Sequence, residues 1–145
     1  MSVDQINQDL NVALKSGDKP RAEALRLLKS ALINARIANG HEVNEDEFVK
    51  VVRKEIKSRV EARDMYSQNN RSEQAAQEEY ERSVYAEYIP AELSDEAITK
   101  IIEEVILKVG DSANFGTIMS AVMQKTAGQA DGKRVSNIIK ESIDR

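Results

Sequence analysis

The sequence predicts an all-α protein with an N-terminal helical domain of about four helices and a small C-terminal three-helix bundle. Every periodic segment of the 145 residues has its apolar residues at helical spacing, and none alternates as a strand does. Aromatic residues make up 4% of the chain and there are six glycines, a composition that fits poorly with a β-sandwich or barrel. A hydrophobic fraction of 41% is sufficient for a core.

Glycine and proline mark the first two helices. The first helix has its apolar residues on one face and ends at Gly17. Pro20 is expected in the first turn of the second helix, where its missing N–H costs nothing. That helix is predicted to run to Asn39, with Gly40 following it. Its apolar residues span a wide arc, which is typical of a central helix in a bundle.

A capping box predicts the start of the third helix, with Asn44 as N-cap and Glu47 three residues later. The helical pattern breaks near residues 68–72, and a fourth helix is predicted over about 72–88. The spacing predicts an apolar face of Ala76, Tyr80 and Val84, with Ala75, Tyr85 and Tyr88 around them.

The segment from Tyr88 to Ser94 contains Pro90 and is the predicted domain boundary. Three short one-sided helices follow it: one capped by Ser94 and closed by Gly110, one beginning near Phe115, and one beginning near Asp131. Each needs partners to cover its apolar stripe, so they are predicted to form one bundle. We therefore predict domains 1–91 and 92–145.

Composition excludes several kinds of site. The chain has no cysteine, so disulfides, thiolate metal sites and cysteine nucleophiles are excluded, and one histidine cannot form a two-imidazole zinc site. His41 is expected in a solvated turn. We predict no cofactor, no metal and no membrane segment. The first residues have neither a basic nor an apolar targeting region, so a soluble cytoplasmic protein is expected.

The third helix carries the most distinct candidate for a binding surface. Lys50, Arg53, Lys54 and Lys57 follow i, i+3, i+4, i+7 spacing and fall within about 100° of arc. This basic stripe has two interpretations: a solvated, salt-bridged face, or a surface that contacts RNA phosphates or a partner.

Two other charged groups occur on the third and fourth helices. Arg59 and Arg63 continue the apolar face of the third helix. They could snorkel at the end of the core, pair with the acidic fourth helix, or support a contact with another surface, and we expect the pairing with the fourth helix. The acidic run Glu78, Glu79 and Glu81 does not converge as metal ligands must, and we interpret it as a solvated face.

The loop before the last helix is the second candidate for binding. Gly128, Gly132, Lys133 and Arg134 lie around a helix start, where free N–H groups can bind a phosphate oxygen. The alternative is that Asp131 simply caps the helix. The spacing is not that of a P-loop.

The whole chain resembles the YqeY family, also called GatB/YqeY-domain proteins. The resemblance is carried by Leu25–Lys29, by the linker Tyr88–Ser94, and by Phe115–Met119 with Gly128–Val135. It implies a C-terminal bundle similar to the tail domain of GatB, the component of aspartyl/glutamyl-tRNA amidotransferase whose tail recognises tRNA. That tail usually has Asn-Pro where this chain has Asp131-Gly132.

The resemblance also implies carbon–nitrogen ligase activity with glutamine as amido-N-donor, the activity with which members of the family are often labelled. Such chemistry needs nucleotide and magnesium sites and a glutaminase nucleophile, and no motif in this sequence supplies them. We therefore favour a non-catalytic accessory module that associates with tRNA, other RNA or the aminoacyl-tRNA amidation machinery. The alternatives are a component of amidotransferase chemistry and a helical adaptor for a protein partner in translation. The adaptor would need an exposed apolar groove, which Met119 and Met123 could line, but methionines at this spacing are more often core residues, and we favour the core.

Overall fold

The structure of this chain is a computed structural model that describes residues 2–126 and 129–144. Within these residues the regular structure is seven α-helices and one 3₁₀ helix, which confirms the predicted all-α class. The α-helices are α1 (Val3–Ser16), α2 (Lys19–Asn39), α3 (Glu45–Gln68), α4 (Ser72–Ala86), α5 (Asp95–Val109), α6 (Phe115–Thr126) and α7 (Gly132–Ile143). The 3₁₀ helix is Gly110–Ser112.

Local chemistry sets the ends of the N-terminal helices. Gly17 and Gly40 have φ of +76° and end α1 and α2 in the left-handed conformation that glycine adopts without strain. The Asn44 side chain accepts a hydrogen bond from the Glu47 N–H at 2.9 Å, and the Glu47 carboxylate accepts one from the Asn44 N–H at 3.1 Å. The predicted capping box at the start of α3 is therefore confirmed.

The chain divides into two compact units, Met1–Ile89 and Pro90–Arg145. The division lies in the Tyr88–Ser94 segment, where the sequence changes from one set of helical patterns to the next. The predicted domains 1–91 and 92–145 place the boundary two residues later. The predicted division into these two domains stays a prediction.

The N-terminal unit is built from two helix pairs. α1 packs along α2, α3 packs along α4, and α2 contacts both α3 and α4. This central position of α2 fits its wide apolar arc. The most deeply buried large side chains of this unit are Ile6, Leu25, Leu28, Leu32, Phe48, Val52 and Tyr85.

The C-terminal unit is a three-helix bundle in which α5, α6 and α7 pack against one another. Its core consists of Ile98, Ile102, Val105, Ile118, Val122, Ala130, Val135 and Ile139. The Leu93 N–H donates a hydrogen bond to the Gln129 carbonyl at 2.8 Å, which ties the start of the unit to the segment before α7.

The buried face of α4 differs from the predicted one. Val84 is buried as expected, but Ala76 is exposed and Tyr80 keeps 37% of its surface open. The residue after Tyr80, Glu81, turns inward to an arginine of α3 and is only 7% exposed. The helix therefore presents Ala75, Val84 and Tyr85 to the core, and the predicted placement of Ala76 and Tyr80 is wrong.

Candidate functional site

The basic stripe of α3, defined as Lys50, Arg53, Lys54 and Lys57, lies on the face opposite the core. At about 100° per residue, its three lysines cluster within about 60° of arc, on the far side of the helix from the buried Val52. All three lysines are exposed, and Arg53 is half-buried at the edge of the stripe. From Lys50 to Lys57 the stripe extends about 10 Å along the helix.

The lysines of the basic stripe are not neutralised by neighbouring carboxylates. Among the residues that the structure describes, no Asp or Glu oxygen lies within 4.0 Å of the ammonium groups of Lys50, Lys54 or Lys57. Glu61, one turn beyond Lys57, is exposed, and Asp64 pairs with Arg63 at 3.1 Å. Three solvated positive charges on one helical face can contact phosphate oxygens without first breaking an internal ion pair.

The two arginines that continue the inner face of α3 pair with α4, as predicted. The Arg59 Nε donates to Glu81 at 3.1 Å, and the Arg63 guanidinium lies 2.6 Å from Glu79. Arg82 also binds Glu79, at 2.7 Å. Hydrogen bonds from Arg82 and Arg63 lower the pKa of the Glu79 carboxyl to about 2. These contacts connect α3 and α4 by charge as well as by apolar packing.

The acidic run of α4 is not the solvated face that the sequence predicted. Glu81 is 7% exposed, and Glu78 and Glu79 are half-buried, because all three face arginines of α3 or α4. The Arg59 guanidinium lies within 4.0 Å of Glu55, Glu78 and Glu81, so one cation forms ion pairs with three carboxylates. Burial and the neighbouring Glu81 charge raise the pKa of Glu78.

Tyr85 completes this cluster from the core side. Its hydroxyl donates a hydrogen bond to the Ala24 carbonyl of α2 at 2.9 Å, and the Arg59 guanidinium lies 5.3 Å from its ring centroid. Burial raises the pKa of Tyr85 to about 12. The aromatic ring therefore links α2, α3 and α4 at one point.

A groove opens between α2 and α4 beside the turn that joins α1 to α2. It has a volume of about 910 Å³. We call it the α2–α4 groove. The residues that line it are Ala13, Leu14, Gly17, Asp18, Lys19, Pro20, Ala22, Glu23, Ala24, Arg26, Leu27, Ala76, Gln77, Tyr80 and Glu81. The groove was not predicted from the sequence, although the apolar Ala76 and Tyr80 beside an acidic run were a signal that could have indicated it.

The two methionines of α6 belong to the core of their own bundle. Met119 and Met123 are half-buried and pack against the core of the C-terminal unit. The core interpretation of these side chains is therefore confirmed, and the groove that the adaptor alternative would need is not formed by them.

The loop before α7 holds its charges in internal contacts. Gly128 lies outside the described residues. Asp131 caps α7 by accepting from the Arg134 N–H at 3.3 Å, which confirms the capping interpretation. The Arg134 guanidinium lies 2.7 Å from Asp95 and 3.7 Å from Glu92. Lys133 is exposed in the first turn of α7.

Gly132 is the first residue of α7, and a Cβ added to it would make ordinary contacts, at 3.9 Å, with the methyl groups of Met119 and Met123. Among the described residues predicted to bind phosphate at this helix start, Gly132 is half-buried, Arg134 is ion-paired and Lys133 is exposed.

His41 lies in the turn between α2 and α3, as predicted. Its imidazole is exposed, with Nδ1 2.8 Å from the Glu42 carbonyl oxygen and Nε2 3.6 Å from a Glu47 carboxylate oxygen. In residues 2–126 and 129–144, His, Cys, Asp and Glu side chains form no group of three or more that could hold a metal ion. None of the helices described is both long and apolar enough to cross a membrane.

Comparison with known proteins identifies the family. A search of curated proteins gives no match. The family model described as Yqey-like protein matches residues 3–143, which cover both units and all seven α-helices. On that match, together with the all-helical fold, the chain belongs to the YqeY family.

Proposed function

We propose that this YqeY-family protein is a non-catalytic accessory module that associates with RNA, transfer RNA above all, through the basic stripe of α3. The observation that carries the proposal is the set of three exposed lysines, Lys50, Lys54 and Lys57, which face solvent together. The resemblance of the C-terminal bundle to a tRNA-recognising tail domain supports transfer RNA as the ligand.

The charge distribution supports contact with the phosphate backbone. The chain has a formal net charge of −4, so attraction to RNA requires a local concentration of positive charge, and the stripe supplies one. Lysine ammonium groups act as point charges, which suits phosphate contacts without base recognition. The stripe has no aromatic side chain on which a base could stack, so binding is expected to depend little on sequence.

The helix start of α7 contributes less to the proposed interface. The Asp131 carboxylate occupies the position at which a phosphate would accept N–H bonds, and Arg134 is committed to Asp95. Lys133 remains available for a peripheral contact. Among the described residues, no arrangement favours an amidation step, so the proposal contains no catalytic role.

Titration of fluorescently labelled tRNA with the purified protein at low salt tests the proposal. The variant Lys50→Gln, Lys54→Gln, Lys57→Gln removes three charges from exposed positions, and we expect its affinity for tRNA to fall by at least about tenfold. Glutamine keeps the helix propensity of lysine, so α3 is retained.

A matched control removes three exposed lysines from other helices, as Lys15→Gln, Lys100→Gln, Lys108→Gln. This variant has the same net charge as the stripe variant, and its affinity is expected to stay within about threefold of wild type. Equal affinity losses in the two variants would show that net charge and not the stripe governs binding. Absence of binding by the wild-type protein would overturn the proposal.

A further inference from the structure

The α2–α4 groove has the size and lining of a ligand pocket. Its volume of about 910 Å³ lies within the range of about 300–1,000 Å³ that small-molecule sites occupy. Its lining is predominantly apolar, and the small side chains of Ala24 and Ala76 leave space between α2 and α4. This groove lies within the N-terminal unit and does not include the basic stripe of α3.

Three large apolar side chains at the groove remain partly open to solvent. Leu14 is 47% exposed, Leu27 is 48% exposed and Tyr80 is 37% exposed. They belong to α1, α2 and α4 respectively, so the three helices present apolar surface to one space. An apolar group in the groove would remove this surface from water, which is favourable.

One end of the groove carries negative charge in a nearly buried position. Glu81 lines the groove and is 7% exposed. The cation that it contacts, Arg59, is not a lining residue and is shared with Glu55 and Glu78. Three carboxylates around one guanidinium leave a surplus of negative charge beside Glu81. The charged side chains that line the groove are Asp18, Glu23 and Glu81 against Lys19 and Arg26, so the lining is also negative by one charge.

We propose that the α2–α4 groove binds a small organic cation, an ammonium group on an apolar aliphatic or aromatic body. The apolar body packs between Leu27 and Tyr80, and the ammonium group points to the Glu81 carboxylate. The positive charge offsets the surplus negative charge of the cluster in a site where water screens poorly. The groove thus has the opposite charge preference to the basic stripe, and its ligand is independent of RNA.

Backbone amide chemical shifts of the full-length protein test the proposal with three probes of equal chain length. Hexylammonium, hexanol and hexanoate are titrated separately into the isotopically labelled protein. We expect shifts at Leu27, Tyr80 and neighbouring residues, with a dissociation constant for hexylammonium about tenfold below that for hexanol. Hexanoate is expected to bind more weakly than hexanol because of Glu81.

Two variants assign the charge preference to the groove. Glu81→Gln is expected to make hexylammonium and hexanol bind equally, whereas Glu61→Gln, an exposed position on α3, leaves the tenfold preference unchanged. Ala76→Lys places a cation in the groove from an exposed position and so spares the core. It is expected to abolish hexylammonium binding and to favour hexanoate.

The results that would overturn the proposal are definite. Equal affinities of the wild-type protein for hexylammonium and hexanoate would contradict it, as would shifts confined to residues away from the groove. If Glu81→Gln does not fold, Ala76→Lys decides: unchanged binding of hexylammonium to that variant would refute the site.

Discussion

Replacement of Arg59 by methionine is expected to lower the free energy of unfolding of the N-terminal unit by about 3 kcal/mol. The guanidinium lies 3.1 Å from Glu81, 3.2 Å from Glu55 and 3.8 Å from Glu78. Methionine keeps much of the apolar stem but leaves three carboxylates facing one another. Removal of one partner from a buried ion pair costs about 3–5 kcal/mol. We take the lower end because the four side chains are 9–24% exposed and partly screened.

Urea unfolding followed by far-ultraviolet circular dichroism measures this loss. The matched control is Arg36→Met, which removes an arginine whose contact with Glu42 is 3.7 Å long and whose side chain is 48% exposed. We expect the control to change the free energy of unfolding by less than about 0.5 kcal/mol. Equal losses in the two variants would refute the argument that the buried cluster stabilises the α3–α4 pair.

The pH dependence of the Arg59→Met variant gives a second test. In the wild-type protein burial and the Glu81 charge raise the pKa of Glu78 while the Arg59 charge lowers it, so removal of the guanidinium raises the folded-state pKa of Glu78 further above its unfolded value. The folded state then binds more protons than the unfolded state, so the stability of the variant rises as pH falls. Its deficit relative to wild type is expected to shrink between about pH 7 and pH 5. A deficit that grows on acidification would contradict this reasoning.

Two further variants probe single contacts in the N-terminal unit. Asn44→Ala removes the capping box of α3, and we expect it to lower the free energy of unfolding, measured in urea, by about 1 kcal/mol. Asn44→Ser keeps a capping side chain, so it is expected to retain most of the wild-type stability. Tyr85→Phe removes the hydrogen bond to the Ala24 carbonyl and is expected to cost about 1 kcal/mol. Because burial raises the pKa of Tyr85 from 10.0 to about 12, its contribution is present below pH 10 and is lost as pH rises through about 12. As pH rises from about 10 to about 12, the stability of the wild-type protein in thermal unfolding should therefore fall more than that of the Phe variant. An equal fall in the two proteins would contradict the contribution assigned to the Tyr85 hydroxyl.

Helix positions could be predicted from the sequence because their signals are local. The capping box at Asn44 and Glu47, and the glycines Gly17 and Gly40, act within a few residues of the helix ends that they determine. The pairing of Arg59 with α4 was also predictable, since an arginine on an apolar helix face requires a carboxylate.

The α2–α4 groove could not be predicted in the same way, because it depends on which side of α4 faces the core. Ala76 and Tyr80 have the spacing of a buried row, yet they line the groove, while the adjacent Glu81 faces inward and pairs with Arg59. Leu27 on α2 lines the same groove and is 48% exposed. Which face of a helix is buried depends on contacts with residues distant in sequence. The hydrophobic pattern of the helix alone does not distinguish between two adjacent faces.

The salt dependence of tRNA affinity tests the proposed RNA-binding surface most directly. If Lys50, Lys54 and Lys57 each neutralise one phosphate, the logarithm of the association constant should fall against the logarithm of salt concentration with a slope of about −2 to −3. In the triple glutamine variant the slope should approach zero, whereas the Lys15, Lys100 and Lys108 control should keep the wild-type slope. Equal slopes for wild type and the stripe variant would contradict the assignment of RNA contact to α3.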